Sequence, residues 1–154
     1  NQDRLEIDFQ ALDITRSTDI DPFELAILME VFEHIPIDQC MNFMESIRGL
    51  LKLGGRLILT VPHVNKKLEY KHFQHFTEKS LLHYLDGHFK VEKVIPFEKR
   101  HFSRNFLDWV MCNRWFILNH RRLLNFIFSY HKKYLFDSDE ERNCQRLYVE
   151  AIAI

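Results

Sequence analysis

Short apolar segments alternate along the chain with segments whose apolar side chains recur at helical spacing. The apolar runs predict strands over residues 5–12, 23–29, 56–61, 89–97 and 147–154, and the second of these is apolar enough for a central strand covered on both faces. A helix is predicted over residues 37–51, stopped by Gly54 and Gly55, and Thr77 is the predicted N-cap of a short helix through Leu85. This alternation predicts an α/β domain built on a parallel sheet.

Residues 102–136 form a different kind of segment, rich in aromatic side chains interleaved with Arg and Lys. The pattern predicts helices inserted before the last strand. Two interpretations stay open. The helices are an added layer that packs on the sheet, covers a substrate or forms a homodimer, or they lie on a membrane surface through their aromatic face.

Length and charge limit the class of protein. The chain has 154 residues, enough for one domain, and a net charge of −1 with nine histidines, which favours no nucleic-acid partner. Its three cysteines form no CxxC pair, which fits a reducing cytoplasm, and no apolar run reaches the ~20 residues of a membrane span. Because the chain begins at Asn1 without methionine, we expect a piece of a longer protein.

Three ionisable residues follow the apolar strand at 23–29, namely Glu30, Glu33 and His34. The carboxyl end of a parallel strand is where α/β proteins bind their ligands. A second group, His72 and His75, lies in a polar loop after the next strand. These five residues are therefore the first candidates for a functional site.

The order of several short motifs resembles class I S-adenosylmethionine-dependent methyltransferases. The motifs are MEVFEHIP at 29–36, LKLGG at 51–55, TVP at 60–62 and HFQHFT at 72–77. In that family a strand leads to an EH-I/V-P corner, then to a helix ending in LKPGG and a further strand; Leu53 stands here in place of the proline. The resemblance implies a Rossmann-like α/β sheet.

The family's glycine-rich loop after its first strand has no counterpart, because the four glycines lie at 49, 54, 55 and 87. That loop lets the backbone approach the cofactor closely. We therefore expect residues 1–154 to be the C-terminal part of one methyltransferase domain, with the helical insertion at about 102–136 and the N-terminal strands outside this sequence. The alternative is a non-catalytic interaction module on a truncated fold, or a membrane-peripheral protein.

By resemblance, S-adenosylmethionine would contact Asp13 through its adenine amino group, the backbone N–H of Ile14 through the adenine ring edge, and the strand end at Met29 and Glu30. The ordinary alternatives are that Asp13 is a turn residue and that Met29 packs in the core. The activity implied is methyl transfer, most simply to the hydroxyl of a small molecule, glycan or lipid-linked acceptor.

In two branches of the family an E-x-x-E-H cluster binds a divalent metal, and in one of them a later histidine joins it. The resemblance thus implies Glu30, Glu33, His34 and His75 as ligands, with His72 at a similar spacing, for Mg²⁺, Mn²⁺, Fe²⁺ or Zn²⁺. The alternative is that His34 only forms a hydrogen bond with the backbone and that no metal binds. Without metal, His34 or His75 would be the general base.

Overall fold

A computed structural model describes residues 8–16, 20–138 and 140–154 and has a four-stranded mixed sheet. The strands are β1 (Phe23–Met29), β2 (Leu51–Pro62), β3 (Phe89–Lys99) and β4 (Cys144–Ala153), in the order β1-β2-β4-β3. β1 and β2 are parallel, whereas β4 is antiparallel to both of its neighbours. The α/β class is confirmed, but the sheet is mixed because the last strand enters between β2 and β3 from the opposite direction.

Two helices, α1 (Cys40–Gly49) and α2 (Glu78–Leu85), pack with one face of this sheet. Leu57, Leu59 and Val61 of β2 alternate toward that face and are fully buried. The predicted capping of α2 is confirmed, since Thr77 accepts from the Ser80 amide and the Ser80 hydroxyl accepts from the Thr77 amide.

The first helix begins later than the pattern predicts. Residues Ile37–Gln39 form one 3₁₀ turn, and the side chains of Ile37 and Met41 are exposed. Cys40 and Phe43 occupy the buried face in their place. The spacing of apolar residues therefore predicted where the helix lies, but it did not predict which side chains are buried in its first turn.

Strand β1 lies at an edge of the sheet among the described residues, which corrects the prediction of a central strand. Its alternate side chains Phe23, Leu25, Ile27 and Met29 are about half exposed or more, while Ala26 and Leu28 pack against the core. In the part of the chain that the structure describes, α1 and α2 cover one face of the sheet and leave the apolar outer face of β1 open.

The predicted strand over residues 5–12 is not observed where the structure describes it. Residues 8–12 belong to no helix or strand, and the side chains of Phe9 and Leu12 are exposed. Residues 5–7 lie outside the described residues. An alternating sequence needs a neighbouring strand to pair with, and residues 8–12 have none among the described strands.

Gly54 and Gly55 lie inside β2 rather than ending the helix. Pairing with β1 begins at Phe23 and Leu51, and the register then slips so that Leu25 faces Arg56. Gly54 takes a positive φ of 78° in this bulge. The glycine pair therefore shapes the start of a strand that begins five residues earlier than predicted.

Replacing Gly55 with alanine is expected to destabilise the fold by about 1–3 kcal/mol, measured by urea unfolding. A Cβ at this position would lie 2.9 Å from the Lys52 carbonyl oxygen and 3.3 Å from that of Phe23, so backbone atoms would have to move. Gly49→Ala is the matched control, because a Cβ there meets nothing within 4 Å. Equal stability of both variants would contradict the tight approach at the bulge.

The aromatic segment is helical, as predicted, and consists of α3 (Phe102–Met111) and α4 (Arg121–Tyr134). It is tied to the sheet where the amides of Glu98 and Lys99 donate to the carbonyls of Phe136 and Leu135. Ile127 and Leu135 are buried, but many of its large side chains are exposed, including Phe102, Phe106, Trp109, Trp115, Ile117, Phe126 and Phe128. No helix in the described ranges combines the length and apolar character needed to span a membrane.

Candidate functional site

The candidate site begins where β1 ends. Glu30 follows the strand in the left-handed region, with φ 54°, and Phe32–His34 form a 3₁₀ turn. Phe32 is fully buried, and its ring stacks on Phe76 with 5.0 Å between centroids. The amide of Phe73 donates to the Glu33 carbonyl, which joins the histidine-rich loop to this turn. The packing of one phenylalanine therefore sets the direction of the two ionisable residues that follow it.

Glu33 is buried, and the described part of the chain offers its side chain no hydrogen-bonding partner. Its side chain is 1% exposed, and neither carboxylate oxygen has a partner among the described residues. Burial raises the pKa of this carboxyl, and the nearby Glu30 charge raises it further. An unpaired buried carboxylate is costly, so the group is either protonated or faces a cation.

His34 presents a free ring nitrogen beside this carboxylate. Its Nδ1 lies 3.0 Å from the Lys71 carbonyl oxygen, so Nδ1 carries the proton and donates. Nε2 is left with a lone pair, 3.9 Å from Glu33 Oε1. The His34 side chain is 43% exposed.

His72 and His75 form a hydrogen-bonded chain in the following loop. His75 Nδ1 lies 3.1 Å from the Lys66 carbonyl and donates to it, so His75 Nε2 accepts from His72 Nδ1 at 2.8 Å. These bonds leave the lone pair of His72 on Nε2. Burial lowers the pKa of both imidazoles, which favours their neutral forms.

The chain thus brings together Glu33, His34 and His72, each with a ligand atom within 4.8 Å of those of the other two. Two of the residues predicted as ligands lie outside this group of three. His75 stands behind His72 and orients it, an arrangement common behind metal-bound histidines. Glu30 lies outside the group, with 3.4 Å between its Oε2 and Arg146 Nε, while its Oε1 is buried without a hydrogen-bonding partner among the described residues.

Arg146 belongs to an ionic network that sequence reasoning missed. Its Nε also lies 3.2 Å from Glu98 Oε2, and Arg104 Nη1 donates to the same oxygen at 2.9 Å. Glu98, like Glu30, has a positive φ, 57°, at the end of a strand. The network joins β1, β4, β3 and α3 along the edge of the sheet where the site lies. The sequence does carry a signal for this network: Glu98 and Arg146 each lie one position outside a predicted apolar strand, 89–97 and 147–154.

The remaining predicted cofactor residues lie at different places. Met29 is 66% exposed at the end of β1, with its side chain free on the open face of the sheet. The Asp13 carboxylate is engaged in its own turn, where it accepts from Thr15 Oγ1 at 2.6 Å and pairs with Arg16 at 3.0 Å. Hydrogen bonds from Thr15 lower the Asp13 pKa. Ile14 packs against the core.

The fold is similar to that of solved S-adenosylmethionine-dependent methyltransferases. One of them, from Archaeoglobus fulgidus, is 14% identical with a TM-score of 0.53, and the match spans 86% of this chain and 60% of that protein. The N-methyltransferase NodS from Bradyrhizobium japonicum WM9, solved with S-adenosyl-L-homocysteine, is 12% identical with a TM-score of 0.53 and covers 94% of this chain and 53% of its own. The [4+2]-cyclase SpnF is 16% identical with a TM-score of 0.55 and covers 94% of this chain and 56% of its own.

These similarities define the class of fold. The chain has a class I methyltransferase-like α/β fold, and it spans between 53% and 60% of the length of these three proteins. No known protein family and no curated protein matches its sequence.

Proposed function

We propose that the chain is the carboxyl-terminal part of an S-adenosylmethionine-dependent methyltransferase that methylates a hydroxyl oxygen. The observation that carries this proposal is the group of Glu33, His34 and His72 at the carboxyl end of β1, on a sheet with the methyltransferase-like fold. NodS is an N-methyltransferase and SpnF a cyclase, so the fold by itself does not select the reaction.

The open face of β1 supports the view that further chain completes the domain. The exposed apolar side chains of Phe23, Leu25 and Ile27 form a surface that an upstream strand and helix would cover. A glycine-rich loop on such a segment would face Met29 and Glu30 and complete the cofactor site. The bound cofactor would supply an electrophilic methyl group on its sulfonium.

His34 is the residue best placed to take the proton of the acceptor hydroxyl. Its Nε2 has a free lone pair on a side chain that is 43% exposed, whereas both ring nitrogens of His75 are already hydrogen-bonded. The carbonyl of Lys71 holds the imidazole in this tautomer. The hydroxyl oxygen would gain the methyl group as its proton passes to Nε2. His75 would then act by positioning His72.

We further propose that Glu33, His34 and His72 hold a divalent cation. The orphaned, buried Glu33 carboxylate fits this role, since a cation would supply the missing partner for both oxygens. One carboxylate and two neutral imidazoles suit Zn²⁺, Mn²⁺ or Fe²⁺ better than Mg²⁺. A bound cation would act as a Lewis acid toward an acceptor hydroxyl. In that arrangement His34 would serve as ligand rather than as base.

The complete gene product is expected to bind S-adenosylhomocysteine in calorimetry. Met29→Lys is expected to weaken this binding about tenfold or more, because the bound cofactor would remove water from the lysine charge. Met29 is exposed at the site end of β1, so the substitution leaves the core unchanged. Leu53→Lys is the control, at an 80% exposed position near the opposite end of the sheet. Absence of binding by the complete, folded product would refute the methyltransferase proposal and favour an interaction module.

A further inference from the structure

A cavity of about 860 Å³ with a strongly basic lining lies beside the histidine chain. It is formed where the loop after β2, the junction of β3 with α3, and the segment before β4 meet. Five cationic residues and one acid line it: Lys66, Lys67, Arg100, Arg104, Arg142 and Asp108. We call it the basic cavity.

Carboxylates already pair with three of the five cations. Lys66 bonds to Glu69, Arg104 to Glu98, and Arg142 to Glu140. Lys67 and Arg100 have no carboxylate within 4 Å among the described residues, and both are exposed. The cavity thus keeps two cations without a carboxylate partner in the described ranges, a number that matches the two negative charges of a phosphate monoester.

The walls of the basic cavity are held rigidly by hydrogen bonds. The Asn65 side-chain amide lies within 3.0 Å of the carbonyls of Glu141, Arg142 and Cys144. His63 is buried, and its Nδ1 accepts a hydrogen bond from the backbone N–H of Asn65. Its Nε2 therefore carries the proton and donates to Glu141 Oε1 at 3.0 Å. These bonds fix the backbone of the wall at Asn65 and Arg142 before a ligand arrives, whereas the exposed side chains of Lys67 and Arg100 would become ordered on binding.

A second hollow of about 640 Å³ adjoins the basic cavity through His101, which lines both. It is lined by Lys99, His101, Phe126, Tyr130, Tyr134 and Leu135, and we call it the aromatic groove. Phe126 is 67% exposed there. A cationic pocket that continues into an aromatic groove is complementary to a ligand with an anionic end and an apolar end.

We propose that the basic cavity and the aromatic groove together bind an amphiphilic phosphate, that is, a phosphate or diphosphate ester of an apolar alcohol. Lys67 and Arg100 would bind the phosphate oxygens, and Phe126 and Tyr130 would cover the apolar chain. Phosphate matches the free cations in charge, and its oxygens suit Arg geometry.

The position of the cavity relates this ligand to the candidate site. The Lys66 carbonyl accepts from His75 Nδ1, so the cavity wall is bonded directly to the histidine chain. Through His75, this bond links the cavity wall to His72 of the candidate site. That this ester is the methyl acceptor rests on the proposed function, whereas its binding does not.

The test is calorimetry of the complete gene product, without cofactor, against octyl phosphate, inorganic phosphate and octyl glucoside. Octyl phosphate is expected to bind at least about tenfold more tightly than either of the others. Over inorganic phosphate, withdrawing two methylene groups from water suffices for that factor. Over octyl glucoside, the factor comes from charge-assisted hydrogen bonds of Lys67 and Arg100 to the anionic head group, which the neutral glucoside lacks. Lys67→Gln with Arg100→Gln is expected to weaken it by about tenfold or more. Phe126→Ala is expected to remove most of the advantage over inorganic phosphate.

Matched variants separate these effects from general ones. Lys90→Gln with Lys93→Gln makes the same change in charge on exposed residues of β3, outside the lining of the basic cavity. Phe128→Ala removes a phenylalanine of the same exposure from α4 that does not line the groove. Both controls are expected to bind octyl phosphate as the unchanged protein does. Failure to bind S-adenosylhomocysteine with octyl phosphate binding intact would refute the methyltransferase and leave this proposal standing.

Three results would overturn the proposal. The first is equal binding of octyl phosphate and octyl glucoside, or no effect of the cavity substitutions. The second is flotation with phosphatidylglycerol vesicles but not phosphatidylcholine vesicles, combined with no binding of free octyl phosphate, which would indicate a membrane surface. The third is a dimer that Phe126→Ala converts to a monomer in light scattering, which would assign the groove to a second copy of this chain.

Discussion

Replacing Phe32 with alanine is expected to lower the free energy of unfolding by about 3–5 kcal/mol, the range for a fully buried phenylalanine. Its ring has no exposed surface. The ring centroid lies 5.0 Å from that of Phe76, 6.0 Å from that of Phe43 and 5.4 Å from that of Tyr84, which is nearly perpendicular to it. Alanine would remove all three aromatic contacts and leave a cavity between the 3₁₀ turn and the histidine-rich loop. Urea unfolding followed by circular dichroism measures the loss.

Phe102→Ala is the control, because that side chain is 80% exposed. Its effect is expected to stay within about 0.5 kcal/mol, as for other surface substitutions. A similar loss of stability in both variants would contradict the anchoring role of Phe32. Since Phe32 directly precedes Glu33 and His34, its replacement is also expected to weaken any cation binding by those two residues.

Replacing Glu33 with glutamine is expected to abolish stabilisation by a divalent cation. If Zn²⁺ or Mn²⁺ binds the folded chain, a concentration 100 times its dissociation constant would stabilise the protein by about 2.7 kcal/mol. The variant lacks the one carboxylate among the three grouped ligands, so most of this gain should disappear. Unfolding is measured with each metal and with a chelator.

The same pair of proteins tests the burial of Glu33 without metal. Burial raises the folded-state pKa of this carboxyl, so its contribution to stability is fully present below the unfolded-state pKa and is lost as pH rises through the folded-state pKa. In chelator, the unfolding free energy of the unchanged protein should therefore fall relative to that of Glu33→Gln as pH rises above 4.5, the ordinary value.

Two histidines add a pH dependence of opposite sign. Burial lowers the pKa of His72 and His75, so their contribution is lost as pH falls below 6.5. Both proteins share this effect, and it cancels in the comparison. Glu45→Gln, on the exposed side of α1, controls for the loss of one negative charge. Parallel pH profiles for the protein and Glu33→Gln would show that Glu33 is not buried as an ionisable group, and no effect of any cation on the unchanged protein would refute the metal centre.

The similarity to methyltransferases agrees with what the motifs at 29–36, 51–55 and 72–77 implied. The alternating and continuous apolar runs placed β1 and β3 at close to their observed bounds, because burying one face imposes a period that the sequence must carry. The Thr77 cap placed α2. The strand predicted over 5–12 had the same kind of pattern, yet residues 8–12 pair with none of the strands that the structure describes. A periodic pattern shows which residues can pair, whereas pairing needs a partner.

The sequence placed Glu30, Glu33, His34, His72 and His75 near one another, but it could not assign their roles. His72 and His75 are three residues apart in a loop, and only the hydrogen bond from His75 to the Lys66 carbonyl decides which ring keeps a free nitrogen toward Glu33. Glu30 forms an ion pair with Arg146, which is more than 100 residues away in the chain. Arg146 lies near Glu30 because β4 enters the sheet antiparallel to β2.

By itself, the sequence determined the α/β class, the positions of most strands and helices, and the stretch in which ionisable groups follow β1. These are local properties, since period and capping are set by residues a few positions apart. Among the described residues, tertiary structure decided that β1 lies at an edge, that Glu33 is buried without a hydrogen-bonding partner, and that five cations line one cavity beside an aromatic groove. Burial and pairing arise between segments distant in the chain, and their energies depend on distances that no local pattern contains.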